Sequence, residues 1–189
     1  MDTRLTHTSP EAIAERAAEA LEMMRTFSSD ILFVTDDNAL RDVAVSCAVE
    51  NPGNPIPVVF AGINVDPSVY EPIQSLEAPG GQITGVLERI PYVEVFELGK
   101  RLFPSASKVA ILADGGSSSA FVASTFQQDY LDSTNQPLQV LDFLQLQTFA
   151  AWKEAVLEYQ SKADIIGILN YQQLTDESGD IVEPGEVVA

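Results

Sequence analysis

Short runs of consecutive apolar residues alternate along this chain with stretches in which apolar residues recur every three or four positions. The runs are ILFV (31–34), PVVFAG (57–62), SKVAILAD (107–114), LQVLDFL (138–144) and ADIIGILN (163–170). Each has the length of a strand, and continuous apolarity marks a strand covered on both faces in a parallel sheet. The intervening stripes predict helices: Ile13, Ala17, Ala20, Leu21 and Met24; Leu40, Val43, Ala44 and Cys47; Val95, Leu98 and Leu102; Val122, Phe126 and Tyr130; Phe149, Trp152, Val156 and Tyr159. Thr8 or Ser9 can cap the first of these, with Pro10 in its opening turn and Glu11 three after Thr8, and Pro91 opens the third.

Strict alternation of helix and strand argues for an α/β fold of parallel sheets joined by right-handed crossovers. NPGNP (51–55) reads as a turn. The rhythm breaks once, at the Pro-, Gly- and acid-containing stretch INVDPSVYEPIQSLEAPGGQ, which ends in QITGVLE, a candidate short strand. A lobe boundary is expected there, dividing the chain into a first α/β lobe at 1–84 and a second at 85–189. The closing TDESGDIVEPGEVVA is polar and turn-rich and predicts no clear element. No repeat of fixed period is present.

Composition narrows the function. With 189 residues and 46% hydrophobic content, the chain can bury a proper core. Ten Lys and Arg against 28 Asp and Glu give a formal charge of −18, the opposite of a nucleic-acid footprint, and an anionic membrane surface would repel it too. One cysteine, Cys47, permits no intramolecular disulfide and no cysteine metal cluster; on its apolar stripe it reads as a core residue. The N-terminus has no basic start followed by an apolar stretch, and no run is long enough to span a membrane.

In open parallel sheets ligands gather beyond the carboxyl ends of strands. Four such edges are legible: Thr35, Asp36, Asp37 and Asn38; Gly62, Ile63 and Asn64; Asp114, Gly115, Gly116, Ser117 and Ser118; and Asn170, Tyr171 and Gln172. Asp36, Asp37 and Asn38 would equally cap the helix behind them. Gly115 and Gly116 lead into a helix N-terminus whose free N–H groups suit a carboxylate or phosphate. That segment has no lysine, so it is not a Walker loop, and GGSSS is not a nucleophile elbow. The single histidine, His7, lies in a polar stretch. Triad hydrolysis is therefore not expected. A rival from another class is a magnesium-binding, phosphorylatable receiver-like switch, with Asp36 and Asp37 holding the metal and Asp114 accepting the phosphoryl group, although no lysine follows a late strand.

PVVFAGINVDPSVYE, then PGGQITGVLE, then ELGKRLFPSASKVAILAD resembles the substrate-binding proteins of ABC-type transporters, in the group that carries a P-V-V-F-A-G strand, P-G-G-N-I-T-G-V and an L-x-P helix end before a strand. The likeness runs from about Ala12 to Asn170, with Gln82 where the family often has Asn. It implies a fold of the type I periplasmic-binding-protein kind: two lobes of parallel-sheet βαβ units closing on a small molecule, with no cofactor and no enzyme activity. The family's members begin with a signal or lipoprotein sequence and a first strand and helix, so the resemblance implies a chain truncated at both ends. It implies a periplasmic or extracytoplasmic location, a small-molecule solute and a membrane permease as partners, and homodimerisation through exposed sheet edges. Carried over, the solute contacts are Asp36, Asp37, Asn38 and Asn64 from the first lobe. Gly115, Gly116, Ser117, Ser118, Asn170 and Tyr171 come from the second. The acids would suit an amine and the helix at Ser117 a carboxylate; Gln82 would affect the hinge.

Overall fold

In the computed structural model of the protein, the structure describes residues 6–7, 9–27, 29–50, 56–77 and 81–188. The chain forms two compact units, Met1–Arg89 and Ile90–Ala189. A division at residue 84 would cut the strand Ile83–Leu87, which belongs wholly to the first sheet. Thr8, the NPGNP turn and the Pro79–Gly80 part of the PGGQ text lie outside the described residues.

In the first unit α1 (Pro10–Thr26) is capped by Ser9, whose Oγ accepts from the Ala12 N–H at 3.2 Å. Three parallel strands follow, β1 (Leu32–Thr35), β2 (Val58–Ile63) and β3 (Ile83–Leu87), in the order β1-β2-β3. Helical stretches α2 (Asp37–Ala39), a π-wound Leu40–Val45 and α3 (Ser46–Glu50) run without a break between β1 and β2. Leu40, Val43, Ala44 and Cys47 are buried, as their stripe predicts. The core is Val34, Leu40, Ala44, Val58, Phe60, Ile63, Ile73 and Ile83. Burial on both faces, expected for 31–34, does not hold: Ile31 is 56% and Phe33 62% exposed. The reason is one-sided cover: Leu32 and Val34 pack into the core, and Ile31 and Phe33 alternate onto the opposite, exposed face.

The glycine of the ITG text is explained by packing. A Cβ on Gly85 would stand 2.1 Å from the Phe60 carbonyl oxygen and 2.5 Å from its ring, so only hydrogen fits where β3 lies against β2. Gly62, at φ +65, sits where the β2–β3 register shifts between Phe60 and Ile63.

The second unit has α4 (Tyr92–Leu102), β4 (Lys108–Asp114), α5 (Ser117–Phe126) with a π-wound Gln127–Leu131, β5 (Gln139–Leu146), α6 (Phe149–Tyr159), β6 (Ile165–Ile168) and a short α7 (Pro184–Val187). Its parallel sheet has the order β5-β4-β6. Period-two alternation along β4, buried from Val109 to Asp114, turns Val109 and Ile111 to one face and Leu112 to the other. The first face is covered by α4 and α5 through Tyr92, Phe96, Val122, Phe126 and Tyr130, the second by α6 through Trp152 and Ala155.

Two expectations are corrected here. On α4 the residues facing the core are Tyr92 and Phe96, whereas Val95 and Leu98 are each 51% and Leu102 66% exposed. Both stripes have helical spacing, and the aromatic one, which pairs with Phe126 and Tyr130, takes the core. The polar C-terminal stretch is also ordered onto the unit: Leu174 and Val182 are buried, and Thr175 bridges to both Thr148 and Ile181.

Candidate functional site

Because every strand pair is parallel, the strand ends singled out from sequence lie on one edge of each sheet. In the second unit the chain leaves β4 for β5 on one side, then crosses to β6 on the other, so the strand order reverses beside β4. A buried polar network occupies that reversal. Asp114 is 2% and Ser119 0% exposed. Asp114 Oδ1 accepts from the Gly116 N–H at 3.0 Å and from Ser119 Oγ at 2.6 Å, and Oδ2 accepts from the Gln173 N–H at 3.0 Å. Asn170 closes the network: its Nδ2 donates to Ser119 Oγ at 3.1 Å and its carbonyl accepts the Asp114 N–H at 2.8 Å.

This network fixes the start of α5. Gly116 occupies the cap position and offers no side chain, so the first turn is left with Ser117, exposed, and Ser118, half-buried. Cβ atoms on Gly115 and Gly116 would fall 2.0 Å from Gln147 Nε2 and 2.6 Å from Gln173 Oε1, so both glutamine side chains lie over the glycine pair. Tyr171 packs against the cluster of Leu112, Trp152 and Leu174. Asp114 as phospho-acceptor is thereby corrected: it is buried, and both carboxylate oxygens are engaged in holding the loop. Among the described residues no group of three or more His, Cys, Asp or Glu is placed to hold a metal ion.

In the first unit Asp36 and Asp37 do different things. Asp36 has φ +78 and ψ 151, a region that glycine alone enters readily, at a cost of roughly 1–3 kcal/mol. It stands at the cap position of α2 but makes no side-chain cap bond, which corrects the capping expectation. Asp37 reaches across to the end of β2: Oδ1 accepts from the Asn64 and Val65 N–H groups at 3.0 Å each, and Oδ2 from Asn64 Nδ2 at 3.4 Å. The Asn64 carbonyl accepts from Arg89 Nη1 at 3.0 Å. Asp37 and Asn64 thus tie two strand ends together, and Asn38 is half-buried beside them in sequence.

The sequence profile described as ABC transporter substrate binding protein matches residues 33–185. The chain belongs to this family. Three solved structures share its fold. One is an ABC domain in complex with L-Trp from Streptococcus pneumonia (20% identity, 84% of this chain and 50% of that one, TM-score 0.55). Another is a conserved domain protein of Vibrio cholerae O1 biovar El Tor (20%, 84% and 49%, 0.54). The third is a ligand-free, open substrate binding protein with adhesive properties from Clostridium difficile (15%, 84% and 48%, 0.53). The chain spans about half the length of these structures. No curated protein matches it. Among the described residues no helix is long and apolar enough to cross a membrane.

Several further residues at these strand ends have no counterpart among those expected from the sequence. Tyr70 is half-buried after β2; loss of solvent pushes its phenol pKa up, Arg41 opposes that, and Asp37 and Asp42 add to it. Arg41 forks onto Asp42 at 2.7 and 2.6 Å. Arg89, Gln147 and Gln173 complete the set. Tyr70, Arg89, Gln147 and Gln173 lie in loops, where periodicity carries no signal, and Arg41 lies on the polar side of the helical stretch after β1; the only available hint was their place just past or between predicted strands.

Proposed function

We propose that this chain recognises a small polar solute for an ABC-type transporter, through groups at the carboxyl ends of its strands. The observation that carries the reading is the buried Asp114–Ser119–Asn170 network, a rigid support beneath an uncapped helix start of small residues, in a chain of the substrate-binding family. The proposed solute contacts are Asp36, Asp37, Asn38 and Asn64 in the first unit and Gly115, Gly116, Ser117, Ser118, Asn170 and Tyr171 in the second. Asp36 suits an ammonium group, and the N–H groups opening α5, with the Ser117 and Ser118 hydroxyls, suit a carboxylate. A zwitterionic solute carries both kinds of group. The L-Trp in the Streptococcus pneumonia neighbour supports that class without naming this chain's ligand. The same reading includes an extracytoplasmic location and a membrane permease as partner; a sensor role would use the same solute contacts.

Native mass spectrometry of the gently purified chain, followed by thermal denaturation against the common amino acids, tests this. A co-purified small molecule, or a raised melting temperature with one amino acid that Ser118→Val abolishes, supports the proposal. Bare protein whose melting no zwitterion shifts refutes it.

A further inference from the structure

The outer flank of α4 is an apolar stripe that the fold does not use. Val95, Leu98 and Leu102 follow one another at three- and four-residue spacing on one helix face, all at least half exposed, and Phe103 at the helix end is 61% exposed. Single exposed apolar residues are ordinary, but a contiguous helical stripe is a docking surface.

The charges beside the stripe select what docks. Glu94 and Arg101 are seven residues apart, hence on one side of α4 about two turns from each other, and neither is engaged by another side chain among the described residues. Turning a second copy antiparallel about a twofold axis near Leu98 sets Val95 against the partner's Leu102. The same rotation places Glu94 beside the partner's Arg101, and it does so twice. The helix carries Glu94, Glu97, Lys100 and Arg101, so it is locally neutral within a chain of charge −18. We propose that α4 is a self-association surface on which a second copy of this chain packs antiparallel, stripe to stripe, with Glu94 opposite the partner's Arg101. A second apolar surface, the hollow of about 370 Å³ lined by Met23, Met24, Phe27 and Phe33 beside the β1 edge, has no charge pattern among its described lining residues to select an occupant.

Sedimentation of the 189-residue chain over a dilution series reaching about 0.5 mM tests the proposal. A reversible monomer–dimer equilibrium is expected, which Leu98→Glu removes at every concentration while far-UV circular dichroism and melting stay as in the wild type. Arg101→Glu and Glu94→Arg are each expected to weaken dimerisation about tenfold, by setting like charges face to face. The double variant restores it. Glu94→Arg is the sharper single test, because it lowers the net negative charge and would strengthen any association limited by overall repulsion. A wild type that stays monomeric across the series overturns the proposal, and so does a double variant no better than either single one.

Discussion

The carboxylate of Asp37 accepts two backbone N–H groups from the turn after β2, and its removal takes this acceptor from both. Asp37→Ala is therefore expected to lower the unfolding free energy by about 1–3 kcal/mol, the penalty for stranding partly buried donors, and Asp37→Asn, which keeps an acceptor oxygen, by less. Urea denaturation at neutral pH measures both, and equal midpoints for wild type and Asp37→Ala would mean that the turn is held by other means. Tyr159 gives a pH signature. Its hydroxyl donates to Asp142, and that bond, reinforced by burial, pushes the phenol up to about 12 from an ordinary value of 10.0. A raised folded value means that the stabilisation is complete below pH 10 and is lost as pH climbs through about 12. Burial also raises the phenols of Tyr70, Tyr92 and Tyr130, so the Tyr159 contribution is read by difference: phenolate absorbance should show a late-titrating component that Asp142→Asn shifts downward and Tyr159→Phe removes, and an unshifted titration in Asp142→Asn would discard Asp142 as the cause. The edge residues were legible in the sequence because small polar side chains follow each apolar run. Their partners were not: Asp37 binds 27 and 28 positions away and Asp114 reaches Gln173 across 59, distances at which no local pattern speaks.

Strands and most helix faces could be read before the fold was known, since burial on both sides of β4 and the stripes Val122–Phe126–Tyr130 and Leu40–Val43–Ala44–Cys47 leave a periodic record. α4 could not, because it has two adjacent apolar stripes, and only tertiary packing decides that Tyr92 and Phe96 go inward. Leu174 and Val182 were too sparse to form a pattern at all. β3 offers the clearest test at this scale. Gly85→Ala forces a methyl group into the Phe60 carbonyl and ring, neither of which can yield without breaking the parallel pairing of β2 with β3. The expected cost is about 1–3 kcal/mol in overall stability, with hydrogen-exchange protection lost first at Val58 and at Glu88, whose N–H groups bond to Gln82 and Ile63 across this pair. Unchanged protection there would show that β3 is not held by this contact.

Across the whole molecule, 28 acidic residues face ten Lys and Arg, and the described ion pairs engage only Arg16, Arg25, Arg41 and Lys162. Most carboxylates therefore repel one another, more strongly in the compact state than in the unfolded chain, where they are farther apart. Salt shortens the reach of that repulsion to about 10 Å at 0.1 M. Sodium chloride between about 0.01 and 0.5 M is thus expected to raise the melting temperature by several degrees, the opposite of what a fold resting on surface ion pairs would do. Chloride is the salt to use, because sulfate would stabilise through exclusion from the protein surface whatever the charge. Screening would also favour pairing of the α4 stripes, so the measurement belongs on dilute Leu98→Glu protein, where only the chain's own repulsion remains to respond. A melting temperature that is flat or falls with chloride would mean that the 18 excess charges are spaced widely enough, or matched closely enough, to leave the folded state unstrained.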